Sequence, residues 1–178
     1  MDDVVVDACC LLNLCAAGEL RKRLSWVGGK WYVPTAVFAE SLYLHIEQAD
    51  GTIDRSPLDL QSFVDDGVLL SCTAEAGEEL ELYVDLATRL DDGEAMALAI
   101  AKSRKWTFST DDRKAKRVAN ELSVVVLTTP EIMKRWADSA TPSAEELRET
   151  LRRIELQASF WPATNDPLQA WWRGSADG

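Results

Sequence analysis

Histidine is nearly absent: His45 is the single one in 178 residues. A mechanism that needs two imidazoles is thereby excluded, as is a metal centre built from several histidine ligands. Hydrolytic chemistry in this chain must lean on carboxylates. Cysteine is scarce and unpatterned. Cys9, Cys10, Cys15 and Cys72 show neither CxxC nor zinc-ligand spacing, and the adjacent Cys9 and Cys10 sit in an apolar run, as small buried residues do. Such thiols fit a reducing compartment, so a cytoplasmic location is expected. No apolar run is long enough to cross a bilayer, and no membrane association is expected. The N-terminus, MDDVVVDACC, is acidic where a signal peptide would be basic, so secretion is not expected either. A glycine-rich phosphate loop is missing. Basic charge is also in deficit: 19 Lys and Arg stand against 30 Asp and Glu, a net charge of −11. A surface that coats nucleic acid should be basic, because phosphate neutralisation supplies most non-specific affinity. What remains compatible is a local basic patch on a phosphate chain, with divalent cations offsetting nearby acids.

Against these absences stands the profile of a folded domain, with 47% hydrophobic and 28% charged residues. VVVD (4–7) reads as a buried strand, followed by a helix through LLNLCAAGELRKRL that breaks at Gly18. WYVP (31–34) is a second strand, stopped by proline. AVFAESLYLHIEQ (36–48) reads as a helix, and PLDLQSFVDDG (57–67) as another, ended by glycine. VLLSC (68–72) is a strand. Two helices, 78–90 and 94–105, flank the turn DDG. WTFS (106–109) is a strand, DRKAKRVANEL (112–122) a helix and VVVL (124–127) a strand. Thr129 and Pro130 start a helix through Trp136. Ser143 and Glu146 make a capping box before a helix whose Leu147, Leu151 and Ile154 repeat at helical spacing. The final segment, SFWPATNDPLQAWWRGSADG, has no clear period and is expected to pack irregularly, with GSADG frayed. Short apolar strands alternating with helices imply an α/β fold with a parallel sheet covered on both faces.

In such a sheet, ligands bind beyond the carboxyl ends of the strands. Asp7 ends the first strand, and Asp111 and Asp112 follow WTFS, so the topology can bring them to one edge. Each also has a local reading: Asp7 as an N-cap, Asp111 and Asp112 as first-turn acids, and Glu94 as the reciprocal partner of an Asp91 cap. On the helix expected over 36–48, Val37, Glu40 and Leu44 are spaced i, i+3, i+7. Glu40 then lies on an apolar stripe and needs a cation, either an arginine or a metal. Carboxylates gathered at one edge raise one another's pKa and attract a hard cation, for which oxygen ligands favour Mg²⁺ or Mn²⁺. A haloacid-dehalogenase-like site would need a second aspartate two residues after the first, and Cys9 stands there.

Four blocks carry these acids in order: VVVDACCLLNL with Asp7, VPTAVFAESLYL with Glu40, DDGEAMALAIAKSRK with Glu94, and WTFSTDDRKAKRVANEL with Asp111. With this order and spacing, residues 3–135 resemble a PIN-domain ribonuclease. The resemblance implies a three-layer α/β/α sandwich with a central parallel sheet over residues 1–140, with residues 141–178 as a C-terminal helix and Trp-rich tail packed on it. It implies a metal-dependent endoribonuclease in which Asp7, Glu40, Glu94 and Asp111 hold Mg²⁺ or Mn²⁺ and carry catalysis. Asp92 is the alternative to Glu94 as third acid. Asp112 is either a fifth, assisting ligand or a helix-start residue. Thr110 offers a hydroxyl to substrate, and Arg113 and Lys114 either pair with the acids or steer the RNA backbone. Asn13 supports local structure. Many relatives are VapC-like toxins, which implies an antitoxin protein as partner and a homodimer. The alternative is a PIN-like module that binds RNA or protein without cutting.

Overall fold

A computed structural model describes residues 2–40 and 42–177. Contacts gather them into two compact units that alternate along the chain. The first comprises Met1–Leu11, Gly28–Ser41 and Asp59–Thr128. At its centre is a sheet of five short strands: β1 (Val4–Val6), β2 (Trp31–Pro34), β5 (Leu70–Cys72), β6 (Thr107–Ser109) and β7 (Val126–Leu127). Two further strands, β3 (Tyr43–Glu47) and β4 (Ile53–Pro57), belong to the second unit. The order is β5-β2-β1-β6-β7, with every neighbouring pair parallel. This is the expected fold class, a central parallel sheet flanked by helices. Successive strands run outward from β1 to one side, then the chain returns to lay β6 on its other side. The topological switch therefore falls between β1 and β6, where Val6 pairs with Ser109.

The helices of this unit follow from composition. α5 (Asp92–Arg104) buries Ala95, Ala97, Leu98, Ala99, Ile100 and Ala101, and packs on β1, β2 and β6. Its alanines have no bulk to hold it off the sheet, so its first turn comes close to the strand ends. α4 (Glu78–Leu86) packs on α5. α6 (Arg113–Glu121) turns Ala115, Val118 and Ala119 inward. α3 (Leu60–Asp65) is short, and Gly67 beyond it takes φ +65°, as the glycine stop predicts.

The second unit comprises Leu12–Val27, Leu42–Leu58 and Thr129–Gly178. α1 (Ala8–Ala17) runs into it from the first unit and stops at Gly18, at φ +76°. α2 (Leu20–Val27) follows and packs on α7 (Thr129–Ala140). Asn13 Nδ2 donates to Thr129 Oγ1 at 3.2 Å, which gives Asn13 the structural role expected of it. α8 (Ala144–Gln157) starts as the capping box predicts, with Ser143 Oγ accepting from the Glu146 amide at 3.1 Å. No helix among the described residues is long and apolar enough to cross a membrane.

Two expectations fail here. Residues 36–48 do not form a helix. Thr35–Ala39 make one 3-10 turn, and Tyr43–Glu47 is a strand paired antiparallel with β4. The reason lies downstream: Asp50 and Gly51 form a tight turn with Gly51 at φ +81°, and flanking residues pair across it. That pairing overrides the helical propensity of the preceding stretch, and the helical-stripe argument for Glu40 falls with it. The tail is not irregular either. α9 (Gln169–Asp177) spans most of GSADG and packs on α8, with Trp172 and Ala176 buried one turn apart. The Trp172 indole donates to Glu155 Oε1 at 2.8 Å.

Candidate active site

All the acids singled out by sequence lie in the first unit. Asp7 follows β1 directly and is 1% exposed. Its Oδ1 accepts from the Cys10 amide at 2.8 Å, and the Cys9 thiol lies 3.2 Å from both carboxylate oxygens. Thr110, the first residue after β6, adds a side-chain hydrogen bond. These donors favour the charged form, yet burial outweighs them and, with Asp111 adding repulsion, lifts the Asp7 pKa to about 7. No lysine or arginine pairs with Asp7 among the described residues. Burial and the Asp7 charge push the Cys9 thiol up, so it stays a protonated donor.

Glu94 enters the same field. It sits in the first turn of α5, where its amide is capped by Asp91 Oδ1 at 2.8 Å. Its pKa is also lifted to about 7, by burial first and then by Asp91, Asp112 and Asp7. Asp92, the alternative third acid, accepts from the Tyr83 hydroxyl at 3.4 Å and acts on Glu40. Glu40 closes the 3-10 turn, with its amide donating to Val37 O at 3.1 Å. Its carboxyl is pushed up by desolvation, then by Asp91 and Asp92. It lies against Gly93 so closely that a Cβ there would overlap Glu40 Oε1. The edge thus holds two linked groups: Asp7, Glu94, Asp111 and Asp112 on one side, and Glu40 with Asp91 and Asp92 on the other.

Asp112 has a defined local task. Its Oδ1 caps α6, accepting from the Lys114 and Ala115 amides at 2.7 and 2.8 Å. Thr110 Oγ1 accepts from the Asp112 amide at 3.1 Å, so the buried Thr110 orients both aspartates. Arg113 and Lys114 are exposed at the start of α6, and their side chains pair with no acid among the described residues. Sequence reasoning missed two contributors. Cys9 donates to Asp7, and Gly93 makes room for Glu40. The signal for Gly93 was readable: a glycine inside the first turn of a helix marks a close approach.

The donors fit a hard divalent cation in kind. They are oxygens, they repel one another, and two of them stand near half-protonation at neutral pH. In spacing they stop short of a closed cage. Among the described residues, no three His, Cys, Asp or Glu side chains stand close enough to hold a metal. No curated protein and no solved structure gave a significant match. A PIN-domain family model matches residues 3–165, from the start of β1 to the loop beyond α8, and takes in every acid of this edge. With that match laid on a parallel sheet whose switch point is acidic, the chain belongs to the PIN-domain family.

Proposed function

We propose that the protein is a metal-dependent endoribonuclease that hydrolyses RNA phosphodiester bonds at the acidic switch point. The observation that carries this reading is Asp7: a buried carboxyl, unpaired with any cation among the described residues and lifted to about 7. A fold retains so costly a group where a ligand compensates it. A bound Mg²⁺ or Mn²⁺ would supply a polarised water and charge neutralisation for the phosphoryl group. Asp7, Glu94, Asp111 and Glu40 would hold that ion. Asp7 and Glu94 would have to release their protons to bind an ion, so binding should strengthen as pH rises toward and past 7. Thr110 keeps Asp7 in place by its side-chain hydrogen bond, and Arg113 and Lys114 would draw the backbone of the RNA to the edge. In the same reading the protein acts in the cytoplasm, as a homodimer held in check by an antitoxin protein. The support for these finer points is the resemblance of the four acid-bearing blocks.

The test uses purified protein with varied RNAs, in Mg²⁺, in Mn²⁺ and in chelator, beside Asp7→Asn. Cleavage should need a divalent ion and disappear in the variant. Cutting that survives either chelation or the substitution sinks the carboxylate mechanism. A second reading, a PIN-like module that binds without cutting, is favoured by the open spacing of the donors. It predicts RNA or protein binding with no cleavage under any ion.

A further inference from the structure

In the second unit a buried arginine has more donors than acceptors. Arg23, on α2, is 1% exposed. Its Nε donates to Ala17 O at 3.2 Å and Gly18 O at 2.8 Å, closing the end of α1. Its Nη2 donates to Thr150 Oγ1 at 2.9 Å, and its guanidinium lies 4.0 Å from the centre of the Trp136 ring. Nη1 is buried and has no acceptor among the described residues. Arg153, on α8, flanks the same glycine: its Nη1 lies 3.2 Å from where a Cβ on Gly18 would stand. Its Nε is likewise buried without an acceptor among the described residues.

The nearby acids do not answer these donors. Glu19 and Glu146 both act on Arg23, yet both lie against Lys22, at 3.2 and 3.9 Å. Arg23 and Arg153 repel each other beside Gly18, and no carboxylate lies within ion-pair distance of Arg23 among the described residues. The donors left over, Arg23 Nη1 and Arg153 Nε, match in kind the anionic oxygens of a phosphate group.

We propose that Arg23 Nη1 and the Arg153 guanidinium, beside Gly18, form a seat for a phosphate group. The seat uses no residue of the acidic edge, so it goes beyond the nuclease reading and survives that reading's failure. Inorganic phosphate and the terminal phosphate of an RNA chain share the chemistry it recognises.

The full chain is titrated with sodium phosphate at a mildly alkaline pH, above the second ionisation of the free ion, so that the dianion predominates. Calorimetry and thermal melting are run against sodium chloride of matched ionic strength, with chelator throughout. Because phosphate stabilises most folds by exclusion from their surfaces, Arg153→Gln sets the baseline. The wild type should bind phosphate saturably at one site, and Arg153→Gln should weaken that binding by ~10-fold or more, the loss of a charged hydrogen bond. Arg153→Lys keeps the charge and loses the fork. It should melt like wild type in chloride and still bind more weakly, which separates the seat from a folding defect. A 5′-phosphorylated oligoribonucleotide is compared with its 5′-hydroxyl form to identify the source. Preference for the phosphorylated end, competed away by free phosphate, assigns the seat to RNA termini. Phosphate binding without that preference assigns it to the free ion. Absence of saturable binding, or equal binding by wild type and both Arg153 variants, overturns the seat.

Discussion

Asp7 concentrates the tension of this protein in one side chain. An aspartate has a pKa of 3.8 when unperturbed, and here burial lifts it to about 7. Between those values the folded chain holds a proton that the unfolded chain has released, so stability falls as pH rises from about 4 to about 7. Above 7 the full cost of a buried charge is present; below 4 it vanishes. Glu94 acts in the same direction, reduced by its partial exposure. At one pKa unit per ~1.4 kcal/mol, the Asp7 contribution is on the order of 4 kcal/mol. Asp7→Asn should therefore make the metal-free protein more stable at about pH 8 by that order, with the gap closing near pH 4. Denaturant melts in chelator across that range check it. A variant less stable than wild type at high pH would mean that Asp7 is a structural acceptor and no strained ligand. Gly93 offers a second residue-scale test. Alanine suits a helix better than glycine by ~1 kcal/mol, but its Cβ would overlap Glu40 Oε1. Gly93→Ala should leave stability nearly unchanged while displacing Glu40, and RNA cleavage should drop by roughly 10-fold or more. Full activity in that variant would remove Glu40 from the site.

Elements were legible where local chemistry and tertiary demand agree. The buried run VVV became β1, Gly18 separated α1 from α2, Ser143 capped α8, and Asp91 capped α5. They were misread where a distant pairing decides the outcome. Residues 43–47 look helical in isolation, and only their pairing with 53–57 across the Asp50–Gly51 turn makes them a strand. The tail was readable from Asp166, whose Oδ1 caps the Leu168 amide at 2.8 Å, and from the one-turn spacing of Trp172 and Ala176. For the site, strand-end position brings Asp7 and Asp111 to one edge of the sheet, and the alanine-rich α5 brings its first-turn Glu94 into the field of Asp7. The partners of Glu40 were out of reach, since its backbone is extended at ψ 140° and not helical. Asp112 lets an element and a site be told apart. As the α6 cap it accepts two amides, and Asp112→Ala should cost ~1 kcal/mol. Asparagine caps as well as aspartate, so Asp112→Asn should melt like wild type. If Asp112→Asn also cuts RNA normally, the residue is a cap alone; if cleavage falls while the melt is unchanged, its charge serves the metal.

At the scale of the whole chain, a net charge of −11 must be reconciled with the polyanionic substrate proposed for it. The acidic surplus repels RNA at long range, and that repulsion is screened within about 10 Å at 0.1 M salt. Local phosphate contacts then set the equilibrium. Arg113 and Lys114 are exposed and pair with no acid among the described residues; Lys116 is half-buried, and Arg117 approaches Glu121 at 4.0 Å. Two phosphate contacts from α6 are therefore the expectation. For single-stranded RNA each contact contributes about −0.7 to the slope of log K against log salt, so the slope should lie near −1.4. Fluorescence anisotropy of a labelled RNA, in chelator so that nothing is cut, measures it. Arg113→Gln and Lys114→Gln should each flatten the slope by ~0.7 and weaken binding to all sequences alike, because a phosphate contact carries no base information. A slope several times steeper would require a broad basic groove that 19 cationic residues against 30 acidic ones do not readily supply. A slope unchanged in both variants would move RNA contact away from α6 altogether. Under the proposed nuclease function the flat slope would follow from the same economy as the acidic edge: a chain this negative would hold RNA at few points and leave most of the charge neutralisation at the scissile bond to a divalent ion.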